Sequence, residues 1–181
     1  MIEMLRSLFP AVAFEPGESI DQPTIRVPAE SLVEVCRALR DRAELGFVLL
    51  ADVSAVDWWP RAPRYEVVYH LSSMTARLRV KVTVDGPSPR LPTVQSVWPA
   101  AGWLERETWD MFGIVFEGHG DLRRLLMPEE WEGHPLRKDF PVQIRLRPKS
   151  DQPLQVTEEE FRANLARDKA ARADAPGKIG Y

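Results

Sequence analysis

The run at residues 77–84 alternates without a break. Leu78, Val80, Val82 and Val84 fall on one side, and Arg77, Arg79, Lys81 and Thr83 on the other. A period of two with one wet face specifies a strand in an antiparallel sheet that buries one side. Its neighbour is at hand, because Tyr65–Leu71 is a second strand pattern and the five residues from Ser72 to Ala76 are short enough for a hairpin. Phe47–Val56 reads as a further strand, buried on both faces, and Thr24–Val27 as a short one. Trp58 and Trp59 fall in the loop between two of these strands, as contact residues or as a lid.

Two helices complete the first part of the chain. Leu32, Val35, Cys36, Leu39 and Ala43 recur at helical spacing and Gly46 closes the stretch, which predicts a helix over 29–45 with Cys36 as a small core residue. Pro99 in a first turn and Gly113 as a C-terminal stop frame a second helix over 99–112. The elements predict an α+β fold: a small, mostly antiparallel or mixed sheet with helices packed on it.

After Gly113 the periodicity fades. Ten of the sixteen prolines follow residue 86, and 113–156 repeats at neither 2.0 nor 3.6 residues. Aperiodic stretches of such length are uncommon inside compact domains. Yet Phe116, Trp131 and Phe140 give this one apolar anchors that a disordered segment lacks. It is expected to be an extended arm on a partner; the alternative is a long loop folded back on its own domain. Thr157 and Glu160 form a capping box for a last helix, 157–172, with a thin stripe of Phe161 and Leu165. The division is then 1–113 for the α+β domain, 114–156 for the arm, and 157–181 for a short helix and a tail that ends frayed or partner-bound.

Charge and cysteine content exclude several functions. A net charge of −3 leaves no nucleic-acid footprint. A lone cysteine supports neither a disulfide framework nor an iron–sulfur cluster held by this chain alone. No run approaches the ~20 apolar residues that cross a bilayer, and residues 1–15 make a poor signal peptide. These features predict a cytoplasmic chain not itself embedded in a membrane.

The chemistry-bearing residues gather in 105–141. On a helical wheel Glu107 falls among Ala100, Leu104, Thr108 and Met111, with Arg106 opposite and Asp110 on the flank. A carboxylate on an apolar face needs a partner, and Arg123, Arg124, Arg137 and Lys138 are the candidates. A catalytic reading would pair Glu107 with Asp110 and a histidine, but no nucleophile or phosphate loop accompanies them. His119 and His134 stand 15 residues apart, without helical zinc spacing. The stronger pattern is that each follows a glycine, Gly118 or Gly133, and precedes a leucine and a basic pair. This makes two turn-and-guanidinium hooks suited to an interface.

Taken together, "WLERETWDMFGIVFEGH", "DLRRLL" and "EGHPLRKDFP" resemble the signature of the C-subunit family of respiratory complex I, the proton-translocating NADH:quinone oxidoreductase. Its mitochondrial counterpart is the thirty-kilodalton subunit. The likeness extends upstream through "GFVLLADVSAVDW", "RYEVVYHLSS" and "RLRVKV", and covers roughly residues 46–141. One position departs: Gly120 follows His119 where the family commonly has proline, which loosens that turn.

The resemblance implies a peripheral-arm subunit with no active site of its own. It supports assembly beside the D-subunit, which helps form the quinone site, and near the B- and I-subunits, at the cytoplasmic face of the plasma membrane. Flavin mononucleotide, iron–sulfur clusters, NADH and quinone would reside on other subunits, and no metal on this one. Related membrane-bound hydrogenases and other donor:quinone complexes carry similar subunits, so the electron donor stays open. The residues expected to anchor the domain and arm are Glu105, Arg106, Glu107, Asp110, Gly113, Gly118, His119, Arg123, Arg124, Trp131, Gly133, His134, Pro135, Arg137, Lys138, Asp139, Phe140 and Pro141.

Overall fold

The computed structural model describes residues 2–10, 12, 14–17, 22–141 and 157–173. Residues 142–156 of the expected arm, and the tail after 173, lie outside the described residues. Two compact units divide at Phe140/Pro141, so the boundary expected at 113 falls inside the first unit.

The first unit is built on a five-stranded mixed sheet of order β1-β2-β5-β4-β3. Its strands are β1 (Glu15–Gly17), β2 (Thr24–Arg26), β3 (Leu49–Asp57), β4 (Tyr65–Ser72) and β5 (Arg77–Val84). Only β2 and β5 run parallel. The alternating run is β5, with Leu78, Val80, Val82 and Val84 buried, and it forms the expected hairpin with β4, pairing Tyr69 with Val80. Two helices belong to the chain before and within this sheet: α1 (Ile2–Leu8) and α2 (Leu32–Asp41), the latter entered through a 3-10 turn at Ala29–Ser31. α2 buries Leu32, Val35, Cys36 and Leu39, while Ala43 is exposed beyond its end. Burial pushes the Cys36 thiol far above its ordinary pKa, with the Glu105 carboxylate adding to the effect.

One strand expectation needs correction. The apolar run of β3 implies burial on both faces, but β3 lies at the sheet edge, with Leu49 55% and Val56 36% exposed. With a register shift between Leu50 and Asp52, the buried positions Leu50, Val53 and Asp57 fall on one face of the strand, and Asp52 and Val56 on the other are exposed. The edge is managed by the helix that follows. The Thr108 hydroxyl of α3 (Ala101–Phe112) shares its proton between the Val53 carbonyl at 3.0 Å and the Leu104 carbonyl of its own helix at 2.9 Å, which sets the helix over the middle of β3.

A parallel pair, β6 (Arg90–Pro92) with β7 (Val115–Glu117), brackets α3. It carries the chain back across the start of the helix before the aperiodic stretch begins. The second unit contributes α4 (Glu158–Ala173) to the description. Its capping box is formed: the Glu160 amide donates to Thr157 Oγ1 at 3.3 Å and the Thr157 amide to Glu160 Oε2 at 2.9 Å. Among the described residues no helix is long and apolar enough to cross a membrane.

Candidate functional site

α3 is covered on two sides. Ala101, Glu105 and Thr108 turn toward the sheet, whereas Arg106 and Asp110 turn toward the chain that follows; Trp103 and Glu107 are left exposed. The helical wheel is therefore out of phase with the fold. It places Glu107 inside and Arg106 outside, and the structure reverses both. Thr108 and Met111 are buried as the wheel has them, but the deepest positions of the helix also include Glu105 and Asp110, which it leaves off the buried face. Each of these two is buried because specific hydrogen bonds meet it, which hydrophobic periodicity does not register.

Asp110 is the hub. Its Oδ2 accepts three consecutive backbone amides, those of Leu125 (3.0 Å), Leu126 (2.7 Å) and Met127 (3.0 Å). Its Oδ1 accepts Arg124 Nη1 at 2.8 Å. Burial alone would raise this carboxyl, but the Met127 amide, the Arg124 guanidinium and the other two amides together hold it below the ordinary carboxylate value. Arg124 then goes further, donating Nη2 to the carbonyls of Trp131 (2.7 Å) and Gly133 (2.9 Å). One buried ion pair thus gathers the helix and several turns of the chain after it.

The same stretch caps the C-terminus of α3. A helix leaves its last four carbonyls without intrahelical partners. Here the Asp110 carbonyl accepts Arg124 Nη1 (3.1 Å) and His134 Nδ1–H (3.0 Å), and the Met111 carbonyl accepts the Leu136 amide (3.1 Å). Arg137 Nε donates to the Phe112 carbonyl at 2.5 Å. Two guanidinium groups beside a helix C-terminus also match the sign of its dipole. Gly113 makes the close approach possible. It adopts φ 73°, and a Cβ there would collide with Arg137 Nη2 and the His134 ring. Burial lowers the His134 pKa, and the flanking Arg137 and Arg124 lower it further.

A second junction ties the end of this stretch to the sheet. Asp57, at the end of β3, accepts Arg64 Nε (2.9 Å) and Nη2 (2.7 Å), the Trp59 amide (2.9 Å) and the Lys138 amide (2.9 Å). Arg64 also grips Asp139 with Nη1 (3.0 Å) and Nη2 (2.7 Å). The Arg64 hydrogen bonds hold both Asp57 and Asp139 below the ordinary carboxylate value. Neither Asp57 nor Arg64 stands out in the sequence. The available signal is their position at facing ends of β3 and β4, seven residues apart around a tight loop.

At the other end of α3, His119 Nδ1 accepts the Asp121 amide (3.0 Å), which leaves Nε2 as the donor to the Gly102 carbonyl (2.9 Å). Arg106 donates to the carbonyls of Arg123 (2.7 Å) and Arg124 (2.6 Å), while the Arg123 side chain is exposed and pairs with Asp121. Gly118 takes φ 83° and Gly133 φ 82°, and Trp131 stacks on Phe140 at 6.2 Å. Pro135 is half-buried, and Pro141 is exposed. Lys138 joins through its backbone, not its ammonium.

The two hooks read from sequence both close, but on their own domain and largely on backbone carbonyls. As far as Phe140 the structure matches the alternative of a loop folded back. The acid/base pair that catalysis would need is not assembled, because Glu107 is exposed and the lone pairs of Asp110 are occupied by four donors. Among the described residues, no group of three or more His, Cys, Asp or Glu side chains could hold a metal ion.

Residues 25–145 match the family model described as respiratory-chain NADH dehydrogenase, 30 Kd subunit. The chain belongs to this 30 Kd subunit family. A family member from Roseiflexus sp. (strain RS-1), an NADH-quinone oxidoreductase C-subunit, is 48% identical over 144 residues, covering 78% of this chain and 83% of the relative. Other bacterial relatives of that name are longer, and the chain spans between 55% and 64% of three of them. Among solved structures, the chain is similar to Nqo5, described as a trypsin-resistant fragment (1-134), at TM-score 0.55 and 34% identity, covering 67% of this chain and 98% of that one. It is also similar to a chain of the membrane-bound sulfane sulfur reductase, an archaeal respiratory membrane complex, at TM-score 0.66 and 26% identity, covering 84% and 96%. The α3 network and the Asp57–Arg64–Asp139 junction both lie inside the 30 Kd subunit match.

Proposed function

We propose that this chain is a non-catalytic assembly subunit of a complex-I-type NADH:quinone oxidoreductase, docking beside the quinone-site D-subunit with the B- and I-subunits nearby. Flavin, iron–sulfur clusters, NADH and quinone are held by other subunits of the complex, and this chain lies at the cytoplasmic face of the membrane. The observation that carries the reading is the use made of the chain's charged residues. Asp57, Arg64, Arg106, Asp110, Arg124 and Arg137 are consumed in fixing the path of residues 118–140. Such a framework fixes the chain on its domain as far as Phe140, as a scaffold for a partner requires.

The likeness to the sulfane sulfur reductase complex favours one second reading, the equivalent subunit of a membrane complex with another electron donor. The test is affinity capture of the tagged chain from its own membranes in mild detergent, followed by an NADH:quinone assay. Flavin- and cluster-bearing subunits with turnover support the first reading; the same subunits without NADH oxidation support the second. A chain recovered alone in repeated trials would overturn both.

A further inference from the structure

The side chains of the loop from Trp58 to Pro63 have no described part in the network, yet the loop's backbone is braced by it. The Trp59 amide binds Asp57 Oδ1 (2.9 Å), the Trp58 amide binds the Arg64 carbonyl (2.8 Å), and Arg64 is locked between Asp57 and Asp139. On this rigid base the loop exposes two indoles, Trp58 at 41% and Trp59 at 53%. Arg61 lays its guanidinium 5.4 Å from the centre of the Trp58 ring and pairs with no described carboxylate. Large aromatics and arginine on a preorganised loop are the residue types that dominate interface energies, because little conformational entropy remains to be lost on binding.

Two observations favour one occupant for this loop. Asp57 also binds the Lys138 amide, so the loop and the last turn of the first unit before Pro141 share one corner of the domain. A partner that receives the chain at this corner has Trp58 and Trp59 within reach. The charges around the loop then select a protein over a membrane. Exposed Arg61 and Lys138 are countered at this corner by exposed Asp139 and by Asp85, which accepts the Arg64 amide at 3.1 Å, and two cations fall short of the cluster of about four to eight that an anionic lipid surface attracts.

We propose that Trp58, Trp59 and Arg61 form a second docking point on the same partner subunit that takes the chain beyond Phe140. The partner presents an apolar recess for the indoles and a carboxylate for Arg61. This proposal rests on the assembly reading above. In the test, full-length tagged Trp58→Ala/Trp59→Ala and Arg61→Glu variants replace the wild-type chain in its own membranes, and partner subunits are quantified after capture at low and high salt. The expected result is a loss of at least roughly tenfold in captured partner for the indole variant. Arg61→Glu should show a comparable loss that a compensating acidic-to-basic change in the partner repairs. Melting temperatures of both purified full-length variants should stay within about 2 °C of wild type, since neither side chain bonds to the core.

Capture equal to wild type, or indoles in the assembled complex still quenched by acrylamide, overturns the proposal. Loss of the full-length chain's wild-type binding to phosphatidylethanolamine/phosphatidylglycerol vesicles in the indole variant would also overturn it, in favour of a lipid contact. If the wild-type chain itself captures nothing, the assembly reading has failed. If only the variants behave as wild type, the docking point alone has failed.

Discussion

Arg124 places one guanidinium nitrogen 2.8 Å from the Asp110 carboxylate and the other within 2.9 Å of the Trp131 and Gly133 carbonyls. The side chain of Asp110 is fully buried and that of Arg124 is 12% exposed, so water cannot substitute for either partner. Removing one member of a buried pair leaves the other charged and uncompensated, at a cost of about 3–5 kcal/mol. Asp110→Ala also strands the three amides of Leu125–Met127. The expected outcome is a loss in the upper part of that range by urea denaturation, with hydrogen exchange rising first at residues 125–127. A loss under about 1 kcal/mol, the level of an exposed pair, would show that the segment is not held through Asp110.

Gly113 separates two effects usually confounded at a helix end. A left-handed residue with a Cβ costs about 1–2 kcal/mol from backbone strain alone. Gly86, at φ 94°, has nothing within 4 Å of where a Cβ would lie, so Gly86→Ala should cost only that strain. Gly113→Ala adds collisions with His134 and Arg137, which must move and release the Asp110 and Phe112 carbonyls. It is expected to cost at least about 2 kcal/mol more than Gly86→Ala in a thermal or denaturant melt of the two variants.

Glu105 gives a pH dependence of definite sign. It is fully buried, accepts Thr93 Oγ1 (2.5 Å) and the Val94 amide (2.8 Å), and meets no described cation. Burial raises its pKa to about 7, against which those two hydrogen bonds act only in part. A carboxyl with its folded pKa above its unfolded value favours the folded state when protonated. This contribution is fully present below about pH 4.5 and is lost as pH rises toward and through about 7. A shift of that size amounts to about 3 kcal/mol. His134 has a pKa lowered from its ordinary value and works in the opposite sense, its contribution being lost as pH falls below about 6.5, so the wild-type curve alone is not diagnostic. The difference between Glu105→Gln and wild type isolates the glutamate: it should grow in favour of the variant from pH 5 to pH 8. A flat difference would place the Glu105 pKa near its ordinary value.

The sheet and helix α3 are legible in sequence because both are repetitive. The alternation in β5, the hairpin to β4 and the Gly113 stop each declare themselves within a dozen residues. The contents of the α3 interfaces are legible by composition but not by phase. Arg124, Arg137 and the two histidines stand out as hooks, while their targets, the Asp110 carboxylate apart, are backbone carbonyls, which no sequence pattern marks. Asp57 and Arg64 are invisible for a related reason. Their significance comes from Lys138 and Asp139, some 75–81 residues away, meeting the open end of the β3–β4 hairpin. The double covering of α3 also explains why Glu107 misleads. A helix packed on two sides leaves a narrow exposed stripe, and apolar residues such as Trp103 can occupy it.

Arg64 and Asp139 test whether the stretch before Phe140 belongs to the fold or merely rests on it. Asp139 is half exposed, so Asp139→Ala should cost the isolated chain no more than about 1 kcal/mol. Arg64→Ala leaves Asp57, whose side chain is 1% exposed, without its cation and should cost about 3 kcal/mol or more. Limited trypsin digestion then reports on the chain itself. The wild type should yield a resistant product that retains Arg123, Arg124, Arg137 and Lys138, because the surrounding backbone is bonded to α3 and Asp57. In Arg64→Ala the Lys138 amide loses the orientation of its acceptor, and cleavage after Arg137 and Lys138 should appear first, with Arg123 and Arg124 still protected. Wild-type cleavage after Arg123 among the earliest products would mean that residues 124–140 do not stay on the domain in solution, and the α3 cap would have to be supplied by a partner.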